Sequence, residues 1–410
     1  MTVTVRRLEA DDPEAEVARR LGWEAFGVPA DPPPGSPAAE PARLDRPGMT
    51  WFGAFTDEDA PAPGLVARMV DRAYDSCFGG VLLPTSGIAG VTVVAEARGR
   101  RALTPLFAAT LASARERGAV LSTLFPTAPG IYRGFGYELV AETAAVELPT
   151  AALAAVRAPV TTRVRRAGVA DVEAVREVYD RWAIEQNGPL SRRGVSFPAT
   201  DEELLAQVTG LTVALDPDDR VVGYAAWNRG QGYGETAVLE VEDLLAGDAD
   251  ARRALLRVLG SFASVAPTTR LHTSGDDLAR LEVPSLTWSV RSTSSYMLRV
   301  LDVPGALAPR RYPRSLRVDL AFTVAGDPLP GLDGGYRLAV DDGHAECVRT
   351  GSGDPAARVL TPRGLALLYA GAQSSANLRA TGHLTGGDRD EDLEWDALFG
   401  GRQRHIRDYF

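Results

Sequence analysis

Proline is tolerated in an α-helix only within its first turn. Pro105 therefore sets the register of the most constraining stretch of this chain, GIAGVTVVAEARGRRALTPLFAATLASARERG. A β-rich run leads into a short turn, Glu96–Arg100, and the proline predicts a helix opening near Arg101. Leu103, Leu106, Phe107, Thr110, Leu111 and Ala114 then fall on one helical face. A strand that ends in such a turn leaves the amides of Gly99, Arg100, Arg101, Ala102 and Leu103 as unpaired donors at the positive end of the helix dipole. That is a ready phosphate cradle, and Arg98 and Arg100 add charge to it. By itself the stretch is equally compatible with an ordinary strand–turn–helix carrying a solvated arginine cluster.

The rest of the chain alternates β-rich runs with amphipathic helices, which predicts α/β domains. TVTVRRL reads as a strand, Asp12–Phe26 as a helix, and Thr50–Thr56, Gly64–Ala73 and Ser86–Val94 as strands. DEDAPAPG reads as a turn, and Pro29–Pro47, with seven prolines, as a long loop or broken helices. An echo lies downstream: Val5-Arg6-Arg7 with Asp12 is matched by Val164-Arg165-Arg166 with Asp171, and Arg100-Arg101-Ala102-Leu103 by Arg252-Arg253-Ala254-Leu255. Because the order of elements repeats as well, a duplicated α/β unit is the preferred reading. The second copy has no glycine-rich turn before its helix (AGDADARRALL) and no Tyr-x-x-x-Gly-Tyr run after it, which marks it as a scaffold without cofactor. From about Val300, LRVDLAF, YRLAVDDG and HAECVRT alternate like antiparallel strands, followed by helices around Pro362–Gly371 and Glu391–Phe399.

Composition excludes several classes. Cys77 and Cys347 are the only two cysteines, and the four histidines are scattered, so neither a disulfide framework nor a metal-ligand spacing is present. A net charge of −10 disfavours nucleic acid as a partner. No apolar run of membrane-spanning length occurs, and the acidic N-terminus does not resemble a signal peptide, so cytoplasmic residence without a membrane partner is expected.

The stretch after the turn sharpens the reading. VLSTLFPTAPGIYRGFGYELV supplies a second strand, Val120–Phe125, and then Ile-Tyr-x-x-Phe-Gly-Tyr around Tyr132. This pairing resembles the GNAT superfamily, and more narrowly the enhanced intracellular survival (Eis) family of actinobacterial acetyltransferases. WSVRSTSSYMLRVLDVPGALAPRRYP resembles that family's junction into its last domain, GLALLYAGAQSSANLRATGHL its sterol-carrier-like helix, and the chain ends, like the family, on phenylalanine. The resemblance implies three domains: a GNAT acyl-CoA-binding domain over 1–150, a second GNAT-like domain over 160–298, and a sterol-carrier-like α+β domain over 299–410 that ends in the active site.

It also implies roles. Acetyl-CoA would be co-substrate, with no metal, and the acetyl group would pass directly to a small amine. Tyr132 would protonate the departing CoA thiolate, although its residues alone also suit a core aromatic beside Phe135 and Tyr137. The terminal carboxylate of Phe410 would be the base, provided the tail docks rather than frays. Thr127 stands where a family hydroxyl touches the cofactor, and the backbone of Val91 and Val93 would pair with the pantetheine arm. Arg98 matches the family's pyrophosphate turn, but Arg101 stands where glycine lets the backbone approach the phosphate. Its side chain either points outward, leaving the amide available, or fills the phosphate site.

On the acceptor side, the positions to watch are Phe26, Val28, Gly90 and Tyr409. Gly90 replaces an aromatic on the cofactor strand, and Val28 and Tyr409 stand where aminoglycoside-acetylating members have acids, so a less cationic amine is expected. A homohexamer is implied by resemblance only. Two alternatives accompany this reading: a GNAT-fold protein with altered or lost CoA binding, and an acyltransferase taking a longer acyl donor in space opened by Gly90.

Overall fold

Two runs of the same design build one sheet. The structure, a computed structural model, describes residues 3–27, 44, 46–57, 64–197, 200–284, 286–353 and 357–410. The first run gives strands β1 (Val3–Leu8), β2 (Met49–Thr56), β3 (Gly64–Phe78), β4 (Val81–Val93), β5 (Leu121–Leu124) and β6 (Glu138–Pro149). The second gives β7 (Arg163–Arg166), β8 (Gly210–Leu215), β9 (Val221–Arg229), β10 (Val238–Ala246), β11 (Thr268–Ser274) and β12 (Ser289–Val300). The helix Ala15–Phe26 follows β1 as the helix Val172–Ala183 follows β7, and Leu103–Glu116 lies between β4 and β5 as Ala249–Gly260 lies between β10 and β11. Most of Pro29–Pro47 and of the DEDAPAPG turn lies outside the described residues.

β3 and β4 are longer than the residue pattern predicts. They close on each other through Gly79-Gly80, both at positive φ (59° and 79°), with Phe78 opposite Val81. Only glycine takes that two-residue hairpin turn without strain, and it extends the ladder to both strand ends.

The sheet has 12 strands in the order β1-β2-β3-β4-β5-β12-β6-β11-β10-β9-β8-β7. Exchanging each strand of one run for its counterpart in the other leaves this order unchanged. At the centre the two final strands are traded: β12 pairs with β5 of the first run, and β6 pairs with β11 of the second. The expected boundary between residues 298 and 299 therefore falls inside β12, a strand embedded between β5 and β6.

The echo is partly structural. Arg6 bonds Asp12, and Arg165 bonds Asp171 at 2.7 Å, at the two outer edges of the sheet. The arginine pairs are not equivalent, however. Arg252 and Arg253 lie inside the helix Ala249–Gly260, whereas Arg100 and Arg101 precede the helix Leu103–Glu116.

The third part is a five-stranded sheet ordered β15-β14-β13-β16-β17, formed by β13 (Val318–Val324), β14 (Gly334–Asp341), β15 (His344–Gly351), β16 (Arg358–Leu360) and β17 (Leu384–Thr385). Its helix Pro362–Tyr369 packs on β12 and β6. One core, which includes Tyr74, Leu121, Tyr296, Leu365 and Trp395, runs continuously from the first unit into this domain. That continuity holds the C-terminal segment against the large sheet.

Candidate active site

The site begins where a ladder stops. β4 and β5 are parallel and pair only through Thr85↔Leu121, Ser86↔Ser122 and Gly87↔Thr123. β4 continues to Val93 on its β3 side, so from Ile88 onward its β5-facing edge has no strand partner. The strands part as a wedge along which the half-buried Val91 and Val93 have no strand partner on the β5 side, and there the Val93 carbonyl accepts from Arg98 Nε at 3.4 Å. Beside the wedge β4 carries a bulge: Gly90 and Val91 oppose the single residue Met69, and Gly90 takes φ 56°.

The turn at the end of β4 is open at its amides. A short 3₁₀ stretch, Ala95–Ala97, follows the strand, Gly99 has φ 76°, and Arg101 has φ 61°. Arg101 thus holds the left-handed conformation that glycine takes most readily. A residue there cannot join a right-handed helix, which is why the helix begins at Leu103 rather than near Arg101. Its side chain is exposed, as are those of Arg98 and Arg100. No side chain caps this helix, and the amides of Gly99, Arg101, Ala102 and Leu103 donate to no group among the described residues, whereas that of Arg100, expected to be open, donates to the Ala97 carbonyl at 3.2 Å because the 3₁₀ turn continues to it. Orphan donors at a helix N-terminus beside three exposed arginines fit the pyrophosphate of an acyl-CoA.

Tyr132 stands past the end of β5, in the short helix Pro129–Arg133. Its ring is 7% exposed and meets Phe107 edge-on at 6.1 Å, while Phe135 stacks on Phe107 at 4.3 Å. The glycine of the Phe-Gly-Tyr run has a physical reason: at φ 81°, a side chain on Gly136 would collide with the Arg299 guanidinium. Arg299, from β12, donates to the Phe135 carbonyl at 2.7 Å and pairs with Asp327 at 2.7 Å. Both traded strand and third domain therefore brace the Tyr132 loop. Burial raises the Tyr132 phenol above its ordinary range, with the Thr127 hydroxyl acting in the opposite sense and Tyr409 adding to the rise. At neutral pH it keeps its proton and can give it.

The C-terminal tail is docked. Asn187 donates its amide to the Gln403 carbonyl at 2.8 Å, and His405 donates its amide to the Asn187 carbonyl at 2.9 Å. Arg407 pairs with Asp243 at 3.0 Å and Asp277 at 3.1 Å, and Arg192 bridges Asp243 (2.6 Å) to Asp408 (2.8 Å). Burial opposes ionisation of Asp243, but Arg192 and Arg407 overcome it and hold the carboxyl below its ordinary value. Beyond this anchor, Tyr409 lies on Phe125 at 4.4 Å and Phe410 on Tyr74 at 4.9 Å. A Cβ on Gly87 would come within 2.8 Å of the Phe410 ring, so the terminal residue sits over the last rung before β4 and β5 part. Next to it a cavity of about 730 Å³ opens between the two sheet halves, lined in part by Arg72, Tyr74, Arg176, His272, Tyr409 and Phe410.

These features agree with the relatives of the chain. Residues 8–140 and 188–300 each match an acetyltransferase (GNAT) domain model, and residues 303–407 match a sterol carrier protein domain. A protein of Streptomyces avermitilis described as an uncharacterised N-acetyltransferase is 30% identical over 321 residues, covering 75% of this chain and 76% of its own. The chain belongs to this family of GNAT N-acetyltransferases. The crystal structure of a GCN5-related N-acetyltransferase from Kribbella flavida superposes with a TM-score of 0.81 at 27% identity, over 100% of this chain and 99% of that one. Eis1 from Mycobacterium abscessus superposes with a TM-score of 0.73 at 22% identity over both full chains, which places the resemblance to the Eis family in the fold.

In this GNAT N-acetyltransferase an acyl-CoA is the co-substrate, and the unpaired edge of β4 and the open amides of the turn are groups that fit it. The structure brings Val91, Val93, the 98–103 turn, Thr127, Tyr132, Tyr409 and Phe410 to one end of the first unit. Phe26 instead is exposed at the end of its helix and does not line the cavity, and Val28 lies outside the described residues. The space expected at Gly90 is not free, because the Arg68 guanidinium occupies it: a Cβ there would lie 3.0 Å from its Nη1. Residue patterns missed Arg68, Tyr74 and the Arg192–Asp243–Arg407 anchor. Arg68, Arg72 and Tyr74 alternate on one face of β3, a period-two signal present in LVARMVDRAY. Among the described residues there is no cluster of potential metal ligands and no helix long and apolar enough to cross a membrane.

Proposed function

We propose that this enzyme transfers the acetyl group of acetyl-CoA directly to a small amine held in the cavity beside Phe410. The observation that carries this reading is the seat of Phe410 over Gly87, at the apex of the wedge between β4 and β5. Phe410 lines the cavity, and its terminal carboxylate would take the proton of an ammonium there, freeing its lone pair. The new C–N bond forms at the thioester carbonyl, the C–S bond breaks, and the Tyr132 hydroxyl supplies the proton that the sulfur needs to leave. Val91, in the bulge, offers backbone groups to the arm that presents the thioester, and the glycine-like conformation of Arg101 with its exposed side chain supports an open phosphate turn.

By the same resemblance the enzyme works as a cytoplasmic homohexamer, to be checked by sedimentation equilibrium. The reading is tested by calorimetry and turnover together. Acetyl-CoA should bind, while Tyr132→Phe and deletion of Phe410 should each lower kcat by about 10²-fold or more with little change in acetyl-CoA affinity. Absence of binding at millimolar acetyl-CoA, or near-normal turnover in both variants, would refute it.

A further inference from the structure

Four arginines are buried among the described residues: Arg68, Arg299, Arg310 and Arg358. Three of them have partners. Arg299 pairs with Asp327, Arg358 with Asp392 at 2.6 Å, and Arg310 donates to the Tyr369 carbonyl at 3.0 Å. Arg68 differs. It is 6% exposed, and no hydrogen bond or ion pair to any described residue reaches it; its guanidinium lies 4.8 Å from the centre of the Trp51 ring. A ring face offsets only part of the cost of taking a cation out of water. Burial lowers the Arg68 pKa to about 10, so the charge remains at neutral pH. The indole of Trp51 also carries a buried N–H without an acceptor. Two neighbouring side chains thus each hold a buried N–H, Nε of Arg68 and Nε1 of Trp51, without an acceptor among the described residues.

The surroundings concede space to this cation. A side chain on Gly22, in the helix Ala15–Phe26, would overlap the guanidinium, and one on Gly90 would press against it. A glycine inside a helix is destabilising relative to alanine, so its presence at 22 has a local reason. Gly90 belongs to the bulge of β4 beside the wedge. Arg68 also shares its face of β3 with Arg72 and Tyr74, which line the cavity, and Tyr74 carries the Phe410 ring. The unmatched donors therefore lie along the face on which donor and acceptor meet.

We infer that Arg68, with Trp51 beside it, is the receptor for a carboxylate carried by one of the two co-substrates. The planar fork of an arginine matches a planar two-oxygen group, and a flat donor pair between two glycines suits a carboxylate better than a tetrahedral phosphate. The carboxylate has two sources: the far end of a dicarboxylic acyl group on the donor, or the acid group of an amino-acid-like acceptor. The assignment to a co-substrate rests on the acyltransfer reading above; the anion site itself does not.

The first test needs no coenzyme. Thermal melts are recorded for the wild type, Arg68→Met and Arg68→Lys with acetate, succinate, glycine and, as the uncharged control, glycinamide, at ionic strength held constant with chloride. At least one carboxylate should raise the wild-type Tm in a saturable way. Arg68→Lys should respond less and Arg68→Met not at all, while ligand-free Arg68→Met should melt at or above the wild-type temperature, since it sheds an unmatched buried charge. A lower Tm for ligand-free Arg68→Met, or equal carboxylate shifts in wild type and variant, would overturn the inference and make Arg68 structural.

The second test compares kcat/KM for succinyl- against acetyl-CoA, and for an amino acid against its amide. One of these ratios should fall at least about tenfold in Arg68→Met, as expected for a lost charged hydrogen bond, and which one falls identifies the source. If neither ratio moves, the co-substrate assignment is overturned. A wild type that shows the carboxylate response but binds no acetyl-CoA would defeat the acyltransfer reading and leave the anion site standing.

Discussion

The two halves of the large sheet share a frame and differ sharply at the N-terminus of the helix after the fourth strand. In the first half Ala102 precedes the helix Leu103–Glu116, no side chain caps it, and the neighbouring amides are open. In the second half Asp248 precedes the helix Ala249–Gly260, and its carboxylate accepts from the Ala251 amide at 2.8 Å. Asp250, in the same first turn, accepts from the amides of Val160, Thr161 and Thr162. In the second half the chain's own carboxylate, that of Asp248, occupies the helix N-terminus, while Asp250 ties down the segment before β7. The frame is repeated, and the side-chain cap at this helix is present in one copy and absent from the other.

The halves also divide the tail between them. The second supplies its anchor, through Asp243, Arg192, Asp277 and Tyr179, and the first receives its last two rings on Phe125 and Tyr74. His405 tests this division. It is buried beside Trp182, bonds Ser274 at 2.9 Å, and burial with the nearby Arg407 lowers its pKa from 6.5 to about 4. Between those values the unfolded chain binds a proton that the folded one refuses, so its contribution to stability is present above pH 6.5 and is lost as pH falls toward 4. The loss amounts to about 3 kcal/mol at most. Denaturant unfolding across that window should show this slope in the wild type and not in His405→Asn, with cleavage of the tail by carboxypeptidase rising in parallel. Equal slopes would mean that the second half does not anchor the tail through this histidine.

Smaller changes should convert one half toward the other. Ala102→Asp gives the first half the acid of the second and should weaken acetyl-CoA binding by about tenfold or more in calorimetry, an effect of about 1.5–3 kcal/mol for a phosphate contact. Unchanged affinity would remove the turn from the phosphate site. Asp248→Ala opens the second half and should cost about 1 kcal/mol of stability, read from the denaturation midpoint, without altering the stoichiometry of CoA binding. Arg101→Gly should be the mildest. It relieves a left-handed non-glycine residue while loosening the unfolded chain, so stability should move by less than about 1 kcal/mol and CoA affinity should persist. A large loss of affinity would instead give the exposed Arg101 side chain a direct role.

Much of this was legible from local pattern. Pro105 located the cofactor helix, and Tyr-x-x-x-Gly-Tyr located the loop that holds Tyr132, because both depend on backbone chemistry within a few residues. The helix start was misplaced by two residues, since nothing in Arg-Arg-Ala-Leu announces that Arg101 adopts the conformation of the glycine it replaces. The arginine echo misled for a related reason: similar short strings occupy a turn in one half and a helix interior in the other. The second half's Gly-Asp-Ala-Asp is readable as a helix cap, with Asp248 as the capping residue. The face that Arg68 shares with Arg72 and Tyr74 is readable in LVARMVDRAY, but its lack of a partner among the described residues is a property of the packed interior alone.

The exchange of β6 and β12 reaches beyond the finished molecule. The ribosome delivers β5 and β6 long before β12, and the slot between them in the sheet is filled by residues 289–300. Until then the first unit presents unpaired strand edges, the kind of surface that seeks improper partners. Its completion is therefore timed by the translation of the other half, and a chain truncated at the end of the first domain would lack a strand at the core of its own sheet.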